Sequence, residues 1–152
     1  GTGGTKTLSG GAVSMGAGIL GAGGLSLSGP GLVRLHRAVA LADGLVARER
    51  DSEGIVARAL AGDCEASHAA LSAFCAFLGS VAGDAALTLG ATGGIYIGGG
   101  IAPRFADFLR ESDFRARFEA KGRMAPLLRG VPTKLIVDPY PAFKGLARLL
   151  NP

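Results

Sequence analysis

At 152 residues the chain is long enough for one domain with a real core. Hydrophobic residues at 48%, charged residues at 18% and a mean hydropathy of +0.36 exclude an intrinsically disordered chain. The net charge of +4 is modest, and half of the 16 basic residues lie between Arg104 and Lys134, interleaved with Asp107, Glu111, Asp113 and Glu119. With no aromatic platform for stacking bases, that span reads as a solvated helical face and argues against a nucleic-acid partner.

Residues 1–26 form a glycine-rich segment; the first 31 residues hold 12 glycines and a single charged residue, Lys6. Glycine at this density breaks the apolar helix that a signal peptide needs, so the segment reads as the remnant of something larger or as poorly ordered. Within it, Gly3-Gly4-Thr5-Lys6 is either a phosphate cradle of backbone amides and a threonine hydroxyl or a flexible terminus.

From Leu27 the pattern becomes regular. Ser28 is placed to cap a helix with Pro30 in its first turn, an apolar stripe of Leu32, Leu35, Val39 and Ala42, and Gly44 as its stop. His36 lies beside the stripe and reads as a packed or surface residue rather than a ligand. A polar loop, Arg48 to Glu53, precedes a short helix over Ile55 to Leu60. Asp63 is placed to cap a further helix, with Glu65 opposing the dipole, that extends to about Leu89. Its alanines and Leu71, Phe74, Cys75, Phe77, Leu78 and Val81 occupy more than one face, which predicts burial between layers. Ser80, Gly83 and Asp84 interrupt its apolar run, so no membrane span is expected. Cys64 and Cys75 have no metal-ligand spacing around them and read as small buried thiols of a reducing cytoplasm. His68 reads as structural or exposed.

Thr92 to Arg104 is the most informative stretch. Ile95, Tyr96 and Ile97 suit a short buried strand. Gly98, Gly99 and Gly100 follow as a turn whose backbone a ligand can approach closely. Pro103 fits the first turn of a helix running to about Arg110. A strand, a glycine turn and a helix start together make a place to hold a nucleotide; the bland alternative is a tight connection for strand–helix packing. A second helix is expected from Asp113 to Ala120, ending near Gly122, with Phe105, Phe108, Phe114 and Phe118 as core. Lys134 to Val137 reads as another buried strand, Asp138-Pro139-Tyr140-Pro141 as a turn, and Ala142 to Leu150 as a closing helix. The expected class is helix-rich α/β with strands between helices.

Of catalytic sets the sequence offers little. It has no Gly-x-Ser-x-Gly nucleophile motif and no Walker loop, and two histidines without clustered carboxylates make a metal site improbable.

Several stretches nonetheless resemble bacterial glucokinases: Ser28-Gly29-Pro30-Gly31-Leu32-Val33, Ala59-Leu60-Ala61 through Phe74-Cys75, and Gly93-Gly94 through Pro103-Arg104. The tail agrees, in Phe114-Arg115-Ala116-Arg117-Phe118-Glu119-Ala120-Lys121-Gly122-Arg123 and in the closing Pro141 to Gly145. The resemblance runs in order from about Leu27 to Leu150. It implies the C-terminal lobe of the actin-like ATPase (ribonuclease H-like) fold over residues 27–152, preceded by the glycine-rich residues 1–26. It also implies ATP- and Mg²⁺-dependent phosphorylation of glucose to glucose 6-phosphate in the cytoplasm by a homodimer. The turn Gly98, Gly99, Gly100 would match the family's adenosine motif, with Gly93 and Gly94 at the neighbouring strand entry.

The sequence departs from that pattern on the sugar side. The family's base is an Asp after an Asn, and the only Asn here is Asn151, before Pro152. The Glu-Gly-Gly-His sugar motif is missing, and Gly24-Leu25-Ser26 stands where a sugar-binding Glu is expected. Gly3-Gly4-Thr5 resembles the family's phosphate loop but lacks its preceding Asp. No catalytic residue is therefore assigned, and the chain is expected to be inactive alone. The alternative is a non-catalytic nucleotide-binding or interaction module associated with a regulator.

Overall fold

In the computed structural model, the described residues are 6–9, 12–15, 27–47 and 51–150. The expectations for Gly3-Gly4-Thr5 and for most of residues 1–26 lie outside them; within that segment, β1 (Lys6–Ser9) and β2 (Ala12–Met15) pair antiparallel, Lys6 opposite Met15.

Three helices build the core. In α1 (Gly29–Ala42) the Ser28 hydroxyl accepts from the Gly31 N–H at 3.4 Å and Pro30 occupies the first turn, as the sequence predicts. Past its end, Gly44 adopts φ +66°, and the Leu45 N–H reaches back to the Ala40 carbonyl at 2.7 Å. The second helix, α2 (Ser52–Ala61), starts earlier than expected. Asp51, read as part of a polar loop, caps it by accepting from the Gly54 N–H at 2.7 Å. In α3 (Glu65–Leu89) the cap position belongs to Cys64, which makes no side-chain capping bond, and not to Asp63. Asp63 instead pairs with Arg58 of α2 at 3.2 Å, so the charge that would cap one helix ties it to the other.

Helix α3 runs through the middle, packed against α1, α2 and α5. Ten of its residues are buried, on several faces, which is why no single apolar stripe appears in its sequence. Contrary to the sequence expectation, it is long and apolar enough to cross a membrane by length and composition; here it is the core helix. Phe74 meets Phe105 edge-on at 6.1 Å, and Leu32, Ile55 and Leu71 close the layer around them.

After α3 come β3 (Ile95–Ile97), a 3-10 turn (Ala102–Phe105), α4 (Ala106–Glu111) and α5 (Phe114–Glu119). A second 3-10 turn (Gly122–Met124) leads to α6 (Ala125–Arg129), β4 (Thr133–Leu135) and α7 (Pro141–Leu150). The expected continuous helix from Pro103 is a 3-10 turn followed by α4. Helix α6 is a single short turn-and-a-half that no expected element covers.

The approach of α5 to α3 depends on two glycines. Gly79 and Gly83 stand one turn apart on α3, and the backbone of α5 lies directly on them. A Cβ on Gly83 would fall 2.4 Å from the Phe118 carbonyl oxygen. Lys121, just beyond α5, fastens the same crossing by donating to the Ser80 carbonyl at 2.9 Å and pairing with Asp84 at 2.7 Å.

The strands β3 and β4 pair in parallel, Ile95 opposite Thr133 and Ile97 opposite Leu135. They are not the fully buried strands expected. Ile95, Ile97 and Leu135 pack against the core from one face, while Tyr96 is 61% exposed on the other. The Lys134 ammonium lies 5.6 Å from the Tyr96 ring centroid on that outer face. Beyond β4, Val137 is exposed rather than part of a strand. Asp138 accepts from the Tyr140 N–H and pairs with Lys144, closing the turn into α7, whose residues are all exposed.

Candidate nucleotide-binding turn

The end of β3 carries Gly98, Gly99 and Gly100. Their environments distinguish glycine needed for packing from glycine needed for something else. A Cβ on Gly98 would touch Ile136 Cδ1 at 3.5 Å, an ordinary contact. Gly99 has φ +129°, a conformation that side-chain-bearing residues rarely adopt, so the turn itself requires glycine there. Gly100 has no such backbone requirement, and no described atom lies within 4 Å of a Cβ placed on it. Nothing in the described fold explains that third glycine.

Gly93 and Gly94 sit at the other end of β3, roughly 13 Å along the strand from Gly98 at about 3.3 Å per residue. They belong to the strand entry and not to the turn. Gly94, at φ +131°, lies against Pro132: a Cβ would stand 3.2 Å from the Pro132 carbonyl oxygen, which accepts from the Ile95 N–H at 2.8 Å. Gly93 is exposed, with open space where a Cβ would be.

Two attachments hold the turn's flanks. Arg104, in the 3-10 turn after Gly100, pairs with Glu53 of α2. On the other side the Ile136 N–H donates to the Ile97 carbonyl at 2.8 Å, so β4 reaches the last strand residue before the glycines.

The remaining candidates fall elsewhere. His36 is fully buried, and its Nε2 lies 3.3 Å from the Ser67 hydroxyl, which donates to Cys64 Sγ at 3.2 Å. The bonds from Ser67 hold the Cys64 thiol below its ordinary pKa, and Cys64 is half-buried rather than buried. Cys75 lies in the core, where burial pushes its thiol up to about 11. His68 is exposed and meets Phe108 edge-on at 5.4 Å. Both line a cleft of about 680 Å³ with Ser72, Asp107, Glu111 and Asp113, and none of the five site glycines borders it. Among the described residues no group of three or more His, Cys, Asp or Glu is placed to hold a metal ion.

Sequence reasoning missed Arg115. Its guanidinium donates to the carbonyls of Val131 at 2.8 Å, Arg129 at 3.0 Å and Leu128 at 3.1 Å, and to Glu119 at 2.6 Å. The spacing of Arg115 and Glu119, four apart on one helix, was the only local signal available. The carbonyls it serves are 13 to 16 residues away.

The described residues thus form a helix-rich α/β lobe in which a parallel strand pair runs into a glycine turn. A family model for glucokinase matches residues 23–152. The glucokinase of Aromatoleum aromaticum is 50% identical over 126 residues, covering 83% of this chain and 38% of the relative. That of Paramagnetospirillum magneticum is 51% identical over 125 residues, covering 82% and 39%. The bifunctional protein glk of Burkholderia pseudomallei is 49% identical over 124 residues, covering 81% of this chain and 19% of the relative. A crystal structure of glucokinase from an Antarctic psychrotroph matches with a TM-score of 0.71 and 43% identity, over 82% of this chain and 39% of that one. The chain belongs to the glucokinase family. It spans 38–39% of the length of the two glucokinases named, and its fold is that of the C-terminal lobe of the family's actin-like architecture.

Proposed function

We propose that this chain is the nucleotide-side lobe of a glucokinase, an enzyme that phosphorylates glucose to glucose 6-phosphate with ATP. In this reading residues 27–152 form the lobe. Gly98, Gly99 and Gly100 receive the adenosine end of ATP, with Gly93 and Gly94 at the strand entry beside it. The observation that carries it is Gly100, a glycine that neither packing nor backbone conformation demands and whose surroundings are open. A residue without a side chain at that exposed turn leaves the main chain open to close approach by a ligand.

Phosphoryl transfer works by positioning, charge neutralisation and a base for the attacking hydroxyl. This lobe supplies the first. Mg²⁺ would arrive with the nucleotide's phosphates rather than in a protein cage. The base and the sugar ligands have no counterparts at the positions that match the family, so the chain alone binds ATP and does not phosphorylate glucose. The whole enzyme acts as a cytoplasmic homodimer in this reading.

Calorimetric titration of ATP into the purified chain, beside a coupled assay for ADP formation with glucose, tests both halves. Binding without glucose-dependent turnover is the expected pair of results. Absence of ATP binding overturns the nucleotide assignment, and glucose-dependent ADP formation overturns the assignment of an inactive lobe.

A further inference from the structure

A cation seated on a chain of main-chain carbonyls can shape a distant loop, and Arg115 is such a cation. Helix α6 ends at Arg129, where the Gly130 N–H closes onto the Leu127 carbonyl at 3.2 Å and the Val131 N–H onto the Leu128 carbonyl at 3.1 Å. Three carbonyls at and just past this end, of Leu128, Arg129 and Val131, all accept from the Arg115 guanidinium. The positive charge also lies at the negative end of the α6 dipole. On its other side Arg115 is braced by Glu119 and by the ring of Phe118, whose centroid is 5.0 Å away. Only the planar, many-donor guanidinium can serve three carbonyls and a carboxylate at once.

The segment so held runs straight into the site. Val131 is buried, and Pro132 follows it. The Pro132 carbonyl takes the first N–H of β3, and Ile136 at the far end of β4 gives its N–H to Ile97, the residue before Gly98. From Arg115 to the glycine turn there is thus a run of hydrogen bonds to main chain, through buried Val131 and the half-buried inner face of the β3–β4 pair. We infer that Arg115 is a positioning residue for the glycine turn, fixing the level of β4 and through it the geometry in which Gly98 to Gly100 present their backbone. As a statement about ATP affinity, this rests on the nucleotide reading given above.

Amide hydrogen exchange on the full chain tests the positioning without any ligand. In Arg115→Gln the amides of Ile95 and Ile136 should exchange about tenfold faster than in the parent, as loss of a charge-assisted hydrogen-bond cluster implies, while Leu71 and Phe74 in α3 keep their rates. Unchanged exchange at Ile95 and Ile136 overturns the inference. Equal acceleration at Leu71 and Phe74 also overturns it, because that is general destabilisation. If Arg115→Gln does not fold, Arg115→Lys carries the same measurement, since it keeps the charge and loses the fork.

ATP titration of the same variants, with Gly100→Ala as a control, separates the two claims. Weaker binding in both Arg115→Gln and Gly100→Ala supports them together. Weaker binding in Gly100→Ala alone overturns the role of Arg115 in affinity. If the parent chain binds no ATP, the nucleotide reading falls, while exchange still decides whether Arg115 sets the turn.

Discussion

Gly79 lies so close to Phe114 that a Cβ on the glycine would stand 2.1 Å from the Phe114 carbonyl oxygen. The obstacle is main chain of another helix, which no rotamer change can move aside. Gly79→Ala must therefore lift α5 from α3 or bend one of them, and overpacking of this kind costs about 1–3 kcal/mol or more. Thermal unfolding should show a midpoint lowered by roughly 2–4 °C for each kcal/mol lost. A midpoint equal to that of the parent would mean that the two helices are not in this contact. Gly83→Ala, facing the Phe118 carbonyl and the flexible Lys121 side chain, should be destabilising in the same direction.

The glycine turn yields a sharper comparison. Gly99→Val places a side chain where φ is +129°, so it combines backbone strain of about 1–3 kcal/mol with any loss of ligand approach. Gly100→Ala carries no such strain. Its thermal midpoint should match the parent's, while ATP affinity falls by about tenfold, or 1.4 kcal/mol. Calorimetry showing parent-like affinity in Gly100→Ala would remove the argument for main-chain contact at that residue.

The two cysteines should differ in reactivity with pH. Cys64 has a depressed pKa and partial exposure, so a disulfide reagent should label it first, at lower pH. Ser67→Ala removes the hydroxyl bond that lowers it most, keeps the backbone N–H at that position, and should shift that labelling to higher pH. The same variant takes a hydrogen-bond partner from buried His36, at a cost of about 1–3 kcal/mol in chemical denaturation.

Cys75 behaves in the opposite sense. Burial raises its folded pKa from the ordinary 9.0 to about 11, so the folded state holds the thiol proton more tightly than the unfolded chain does. The stability it contributes is intact below pH 9.0 and is lost as pH rises from there through about 11. The loss is on the order of 3 kcal/mol. Cys75→Ala, less stable at neutral pH, should lose less than the parent over that window when followed by urea denaturation.

What the sequence revealed was local. Ser28, Pro30 and Gly44 announce α1 because each acts within one turn of its own position, and the observed cap and stop are theirs. Asp51 and Asp63 show the limit of that logic: both are acids ahead of a helix, but only Asp51 caps, because Arg58 draws Asp63 aside. Gly83 looked like an interruption of α3 and is a seat for α5, a meaning that comes from residues more than thirty positions away. Arg115 is invisible for the same reason, since its partners are carbonyls and carry no side-chain signature. In the candidate site, a glycine turn after a short strand was legible, whereas the positive φ that sets Gly99 apart from Gly98 and Gly100 was not, and the place of Gly93 and Gly94 at the strand entry came from the family resemblance. The one-sided exposure of β3 was not, because Ile-Tyr-Ile reads alike in a strand covered on one face or on two.

The pairing of β3 with β4 also bears on the order in which the protein acquires its shape. Ile95 and Thr133 have α4, α5 and α6 between them in sequence, whereas α1, α2 and α3 follow one another through shorter connections. Closing so long a loop is entropically costly, and its contacts come after local ones. The glycine turn hangs on that late pairing. It would be the last part of the lobe to take shape during folding and the first to lose it on partial opening.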